Sequence, residues 1–141
     1  MLGIILSLGA CNSKGAEYYI DKYDVTVKLN VDESIDVVCD MEVLFFYNES
    51  GNLIGMVDIG LYEDMTADEV LAKLSNVSLD AVEVQDIAKK VAFIEATDAT
   101  YGIHCFSYYD EKTDVSLYGR FFDFVDSDTV KEIAKSLSAK K

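Results

Sequence analysis

The most regular stretch of the sequence is residues 35–59, which read IDVVCDMEVLFFYNESGNLIGMVDI. From position 35 to position 45 every second residue is apolar, and most of the residues between them are acidic. Such alternation is typical of a half-buried strand, which we expect to run to about Tyr47. Residues 48–52 are a dense turn signal, and a further apolar run follows them. The stretch is therefore predicted to be a β-hairpin with a second long arm at 53–59.

The patterns on either side of this hairpin predict more strands and two helices. Strands are expected over residues 23–31, about 90–96, 101–109 and 115–125. Helices are expected over residues 66–76 and 130–137, with Asp126 or Ser127 as the cap of the second helix. For residues 79–96 the pattern allows either a helix with one apolar stripe or two short strands. We favour a strand at about 90–96, because Phe, Ile and Val prefer strands. Runs of strands separated by helices predict an α+β fold. We expect an antiparallel sheet of about five to six strands with two or three helices packed on one face.

The predicted order of elements resembles that of the PsbP-like proteins. In this comparison residues 90–125 correspond to their strand meander. Residues 130–137, which end Ile-Ala-Lys-Ser-Leu, correspond to their closing helix. The resemblance bears on the fold and implies a domain used mostly for binding or assembly, since fold alone does not define function.

The chain begins with an uncharged apolar run that ends in Leu8, Gly9 and Ala10, directly before Cys11. The run is too short to span a bilayer, which needs about 20 apolar residues, and has the length of a signal-peptide core. The order of residues resembles the lipobox of bacterial lipoproteins. In that family a diacylglycerol is attached to the cysteine sulfur, and a peptidase that tolerates only small preceding residues cleaves before it.

The resemblance to lipoproteins implies a signal peptide over residues 1–10, a lipidated tether over 11–18 and a single α+β domain over 19–141. The mature protein would then be exported and held on the outer side of the cytoplasmic membrane by lipid on Cys11. No Lys or Arg precedes Lys14, although signal peptides open with a basic region, so we expect the natural start to lie upstream. The alternative is an N-terminal apolar strand with a buried cysteine.

The charge of the chain is strongly negative: 26 acidic residues against 12 basic ones give −14. Nucleic acid is therefore not expected as a partner, because phosphate contacts need Lys and Arg. The domain is also not expected to lie flat on anionic lipid. The simplest interpretation of the charge is solubility and mutual repulsion, and the alternative is attraction to cations or to a basic protein or peptide.

Residues of catalytic types are few and lack the spacing of a known site. His104 is the only histidine, and its neighbour Cys105 should point to the opposite face of a strand. No nucleophile elbow, phosphate-binding loop or zinc-protease motif is present, and the acidic clusters lack EF-hand spacing. We therefore expect no enzyme, no cofactor and no metal. Whether Cys39 and Cys105 form a disulfide is open.

Aromatic residues crowd the strands predicted after residue 100. Alternation places His104, Phe106 and Tyr108 on one strand face, which is either core or a platform for a partner. We therefore predict a membrane-anchored, non-enzymatic module that binds a protein, a peptide or a small ligand, with these three residues as the candidate binding face. The alternatives are a structural or assembly factor of the cell envelope and a hydrolase, for which a polar pocket around His104 would be the sign.

Overall fold

The computed structural model describes residues 13–60, 81–88, 91–97, 102–110 and 112–141. They form ten strands, one α-helix and a short 3-10 turn. The strands are β1 (Ser13–Ile20), β2 (Val25–Asp32), β3 (Asp36–Asp40), β4 (Val43–Tyr47), β5 (Leu53–Ile59), β6 (Ala81–Ala88), β7 (Val91–Thr97), β8 (Gly102–Asp110), β9 (Val115–Phe122) and β10 (Ser138–Lys140). The helix, α1, is Ser127–Ser136, and the 3-10 turn is Asp21–Tyr23.

The strands form two sheets in which every neighbouring pair is antiparallel. The small sheet has the order β1-β2-β10, and the large sheet has the order β3-β4-β5-β9-β8-β7-β6. Since β9 pairs with β5 on one side and with β8 on the other, it lies at the centre of the large sheet. The strands β3 and β6 are its two edges.

The core lies between the small sheet, α1 and one side of the large sheet. In β2 every second residue is buried, and in α1 the buried residues recur at helical spacing. They belong to one cluster with buried side chains of the large sheet. Among the members of this cluster are Val27, Leu29, Leu44, Phe46, Val57, Leu117, Phe121 and Ile133. We call the side of the large sheet that carries this cluster the inner face, and the opposite side the outer face.

The prediction of an α+β fold, with one sheet of five to six strands and two or three helices, is wrong. The part of the chain that the structure describes is mostly β, with two antiparallel sheets of three and seven strands and one α-helix. The helix predicted at 66–76 lies outside the described residues. Two of the other predictions are confirmed: β5 has the expected bounds, and α1 begins at an N-cap, Asp126, whose carboxylate accepts the Thr129 N–H at 3.2 Å.

One physical reason for the error is a reverse turn inside the stretch that was expected to be a single strand over 35–47. Asp40 pairs with Val43, so Met41 and Glu42 alone connect β3 to β4. Met41 has a φ of 53° and a side chain that is 81% exposed, whereas the alternation placed it on the buried side. Two-residue hairpin turns usually carry Asn-Gly or Asp-Gly, and Met-Glu carries no such signal.

The other reasons lie at the ends of the chain and in the stretch 79–96. That stretch contains the antiparallel pair β6 and β7, so its two-strand alternative is the correct one. Residues 13–18, expected to be part of a tether, belong to β1. The strand expected over 115–125 ends at Phe122, and β10 follows α1 and pairs with β2. The strands β1, β6, β7 and β10 are each held by pairing with another strand, and local sequence patterns do not show which strands will pair.

Candidate functional site

The three residues of the predicted binding face lie on the inner face of the large sheet. Phe106 is fully buried and belongs to the core cluster. Tyr108 is half-buried against the same cluster, and its burial raises the pKa of its hydroxyl above the ordinary value. His104 is half-buried and pairs with Phe121 of β9. Phe106 in particular is packed inside the domain, so these residues do not form an exposed platform.

The outer face of the large sheet carries a row of side chains that the strand register brings together. Val38 lies opposite Phe45, and Phe45 lies opposite Met56. Met56 in turn lies opposite Arg120 of β9. Directly opposite residues share a face and have Cβ atoms about 4.5–5.5 Å apart, so these side chains form one continuous row.

Exposed apolar side chains stand in this row and at its β9 end. Val38 is 52% exposed, Phe122 38% and Phe124 67%. The rings of Phe122 and Phe124 stack with their centroids 5.6 Å apart and their planes 12° from parallel. Phe45 and Met56 are half-buried. We call Val38, Phe45, Met56, Phe122 and Phe124 the outer apolar patch. Contiguous exposed apolar surface of this kind marks interaction sites in soluble domains.

Arg120, the only arginine of the chain, borders the outer apolar patch on β9. Its guanidinium donates to Asp58 Oδ2 at 2.9 Å and to Met56 Sδ at 3.1 Å. It also lies 5.7 Å from the centroid of the Tyr118 ring. An ion pair at this level of exposure contributes at most about 1 kcal/mol. Its clearer effect is to hold the Arg120 side chain along the sheet, beside Met56.

Carboxylates flank the outer apolar patch at both of its ends. Asp36 and Asp40 lie on the edge strand β3, and the Asp36 side chain is 79% exposed beside Lys14, 3.4 Å away. Asp123 is exposed and stands between Phe122 and Phe124 in the chain. We call Asp36, Asp40 and Asp123 the acidic rim. Surface charges of one sign attract partners of the opposite sign.

The two thiols in the described part of the chain are free and far apart. Cys39 pairs with Leu44 on the inner face, and Cys105 pairs with Arg120 on the outer face. Three strands separate β3 from β8, which places the two thiols roughly 19 Å apart. A disulfide needs Cα atoms within about 7 Å, so the two cannot join. Burial raises the pKa of both thiols, which keeps them protonated and weakly nucleophilic.

The carboxylates at the chain turns have local structural roles. Asp32 accepts the Ser34 N–H at 2.9 Å, and hydrogen bonds from Ser34 lower the pKa of Asp32. Asp126 caps α1. Both carboxylates line an open cleft of about 390 Å³ between β2 and α1. Within the described ranges, no group of three or more His, Cys, Asp or Glu residues is arranged to hold a metal ion.

Comparison with known proteins assigns no relative: no family model, no curated protein and no solved structure matches the chain. In the ranges that the structure describes, no helix is long and apolar enough to cross a bilayer. Cys11 and residues 8–10 before it lie outside those ranges.

The sequence interpretation missed the outer apolar patch. The sequence does contain a signal for this patch, namely the adjacent apolar residues at 37–38, 45–46 and 121–122. In a strand, such a pair puts one apolar side chain on each face. One member of each pair lies in or packs against the core, and the other lies in the patch. The patch is the described surface best suited to contact a partner.

Proposed function

We propose that this chain is a membrane-anchored lipoprotein of the cell envelope, and that its domain is a non-enzymatic module that binds a partner outside the cytoplasmic membrane. Two independent features support the proposal. The sequence around Cys11 supports the anchor, and the outer apolar patch supports the binding role.

The observation that carries the binding role is the exposure of the outer apolar patch. A solvated antiparallel sheet face normally carries polar side chains, while the other face packs on the core. Here Val38, Phe122 and Phe124 are apolar and exposed on a domain whose core is already built on the inner face. Exposing them has no folding advantage, since burial in the core would stabilise the domain more. Contact with a partner would cover these side chains and remove them from water.

The proposed anchor would hold the domain close to the membrane. Residue 12 alone separates Cys11 from the first residue of β1, Ser13. An extended chain spans at most about 3.6 Å per residue, so lipid on Cys11 would leave the start of β1 within about 10 Å of the membrane surface. The domain would therefore bind its partner next to the bilayer.

Site-specific photocrosslinking in living cells tests the binding role. The full chain is produced with p-benzoylphenylalanine in place of Val38, which lies in the outer apolar patch. The matched control carries the same group in place of Tyr19, which is 59% exposed on the small sheet. We expect one discrete crosslinked product from position 38 and none of the same size from position 19.

The binding role would be contradicted if position 38 gave no product on irradiation, or if both positions gave the same products. The first result would mean that the patch meets no protein, and the second that contact is not specific to the patch.

A further inference from the structure

We infer that the partner of the outer apolar patch is a polypeptide segment with an apolar centre and Lys or Arg residues on both sides of it. This inference rests on the proposed binding role and adds the chemistry of the partner. It is drawn from the arrangement of charge and apolar surface on the outer face of the large sheet.

The charges on and beside this face are mostly negative. The described carboxylates are those of the acidic rim, Asp58 and Glu42, and the described cations are Lys14, Lys22 and Arg120. Each cation is already paired with a carboxylate: Lys14 with Asp36 at 3.4 Å, Lys22 with Glu42 at 3.9 Å and Arg120 with Asp58 at 2.9 Å. Asp40 and Asp123 are exposed and have no ion-pair partner among the described residues. These two carboxylates are available for cations of a partner.

The position of the acidic rim sets the spacing of the partner's cations. Asp40 lies on β3 and Asp123 follows β9, and the large sheet has two strands between them. At about 4.8 Å per strand, β3 and β9 are roughly 14 Å apart. Through the strand register Asp40 lies in line with Tyr118, five residues before Asp123, so the two carboxylates are also offset by roughly 17 Å along the strands and stand roughly 22 Å apart. An extended segment rises about 3.3 Å per residue, so roughly six to seven residues cross this distance. A segment with about six central residues, apolar and facing the patch, would bring basic residues to both ends of the rim.

Two other occupants of the patch fit the charges less well. A second copy of the chain would bring two molecules of formal charge −14 together with acidic rims on both surfaces. An anionic membrane surface would also be repelled by the rim. A basic segment is the occupant for which both the apolar and the charged parts of this face are favourable.

The test measures binding of a designed peptide to the purified full chain by fluorescence anisotropy. The peptide has two lysines at each end and six large apolar residues between them. One control peptide has glutamate in place of every lysine, and another has the same residues in alternating order. We expect the first peptide to bind about tenfold more tightly than either control, and its binding to weaken as salt is added.

Substitutions locate the binding on the molecule. The double variant Phe122→Ser and Phe124→Ser should bind the peptide about tenfold more weakly, because it removes the stacked pair. Both side chains are exposed, so the fold should survive, and its circular dichroism and melting temperature verify this. The variant Tyr19→Ser, which removes a comparably exposed aromatic on the small sheet, should bind normally. Asp40→Asn with Asp123→Asn should weaken binding and reduce its dependence on salt.

The inference is overturned if the glutamate peptide binds as tightly as the lysine peptide, or if the Phe122 and Phe124 substitutions leave binding unchanged. It is also overturned if sedimentation shows a dimer that these substitutions dissociate, or if neutral and anionic vesicles bind the chain through the same residues. A crosslinked partner at position 38 together with failure of the basic peptide would reject the basic partner and keep the binding role. Absence of both would reject the binding role itself.

Discussion

A single glycine makes room for a central aromatic of the core. Gly119 of β9 lies opposite Phe106 of β8 on the inner face. A Cβ atom built on Gly119 would overlap atoms of the Phe106 ring. Protein interiors are close-packed, so neither strand can move away without disturbing its neighbours. The absence of a side chain at Gly119 therefore determines where Phe106 lies.

We expect Gly119→Ala to lower the free energy of unfolding by about 1–3 kcal/mol, because it overpacks the core against the Phe106 ring. Urea denaturation monitored by circular dichroism measures the change. The matched control is Gly15→Ala in β1, where the nearest atom to the new Cβ would be Asn30 Oδ1 at 3.3 Å. That side chain is near the surface and can yield, so the control should stay close to wild type. Equal effects of the two substitutions would contradict the packing described for β8 and β9.

At the scale of the elements, the turn between β3 and β4 is strained at Met41. A residue other than glycine in the left-handed region costs roughly 1–2 kcal/mol. The side chain of Met41 is 81% exposed, so it recovers little of this cost by packing. The strain is tolerated because five residues on each side of the turn are held by the pairing of β3 with β4.

We expect Met41→Gly to raise the free energy of unfolding by about 0.5–1 kcal/mol, since glycine adopts a positive φ without steric cost. Thermal denaturation measures the change. Asp114→Gly is the matched control, because Asp114 also has a positive φ, 56°, but accepts a hydrogen bond from the Tyr109 hydroxyl at 2.6 Å. The free energy of unfolding of this control variant should not rise. A loss of stability in Met41→Gly would mean that residues 41 and 42 do not form the turn.

The elements that sequence predicts well are those with local signals at both ends. The β5 strand follows a polar turn, and α1 follows a capping aspartate. The elements that it predicts poorly depend on distant partners or on a turn without turn residues. β10 is three residues long and is a strand only because it pairs with β2. The turn at Met41 divides a stretch of residues whose apolar alternation continues on both sides of the turn.

The candidate site was missed for a related reason. Alternation sorts the residues of a strand into two faces, but it does not show which face is buried when both are apolar. Val37 and Val38 are the clearest case, since one packs against the core and the other is 52% exposed. The same ambiguity placed the candidate binding face on Phe106, which is core. Only the assembled sheets distinguish the two sides.

In the molecule as a whole, the core cluster and the outer apolar patch lie on opposite faces of the large sheet. The inner face of the large sheet, the small sheet and α1 share one core, and the outer face carries the outer apolar patch with its acidic rim. The high negative charge would keep such a patch from joining copies of the chain. With lipid on Cys11, the domain would meet its partner at a membrane surface, where attachment raises the local concentration of both.

The most direct test of a membrane-anchored function is fractionation of cells that produce the full chain with radiolabelled palmitate. We predict that the wild-type chain sediments with membranes, incorporates palmitate and is processed to a smaller size. Cys11→Ser should lose all three properties, whereas the matched control Cys39→Ser should keep them, since Cys39 is a free thiol within the domain. If Cys11→Ser remained membrane-bound, with the same size and labelling as wild type, the lipoprotein function proposed for this chain would be contradicted.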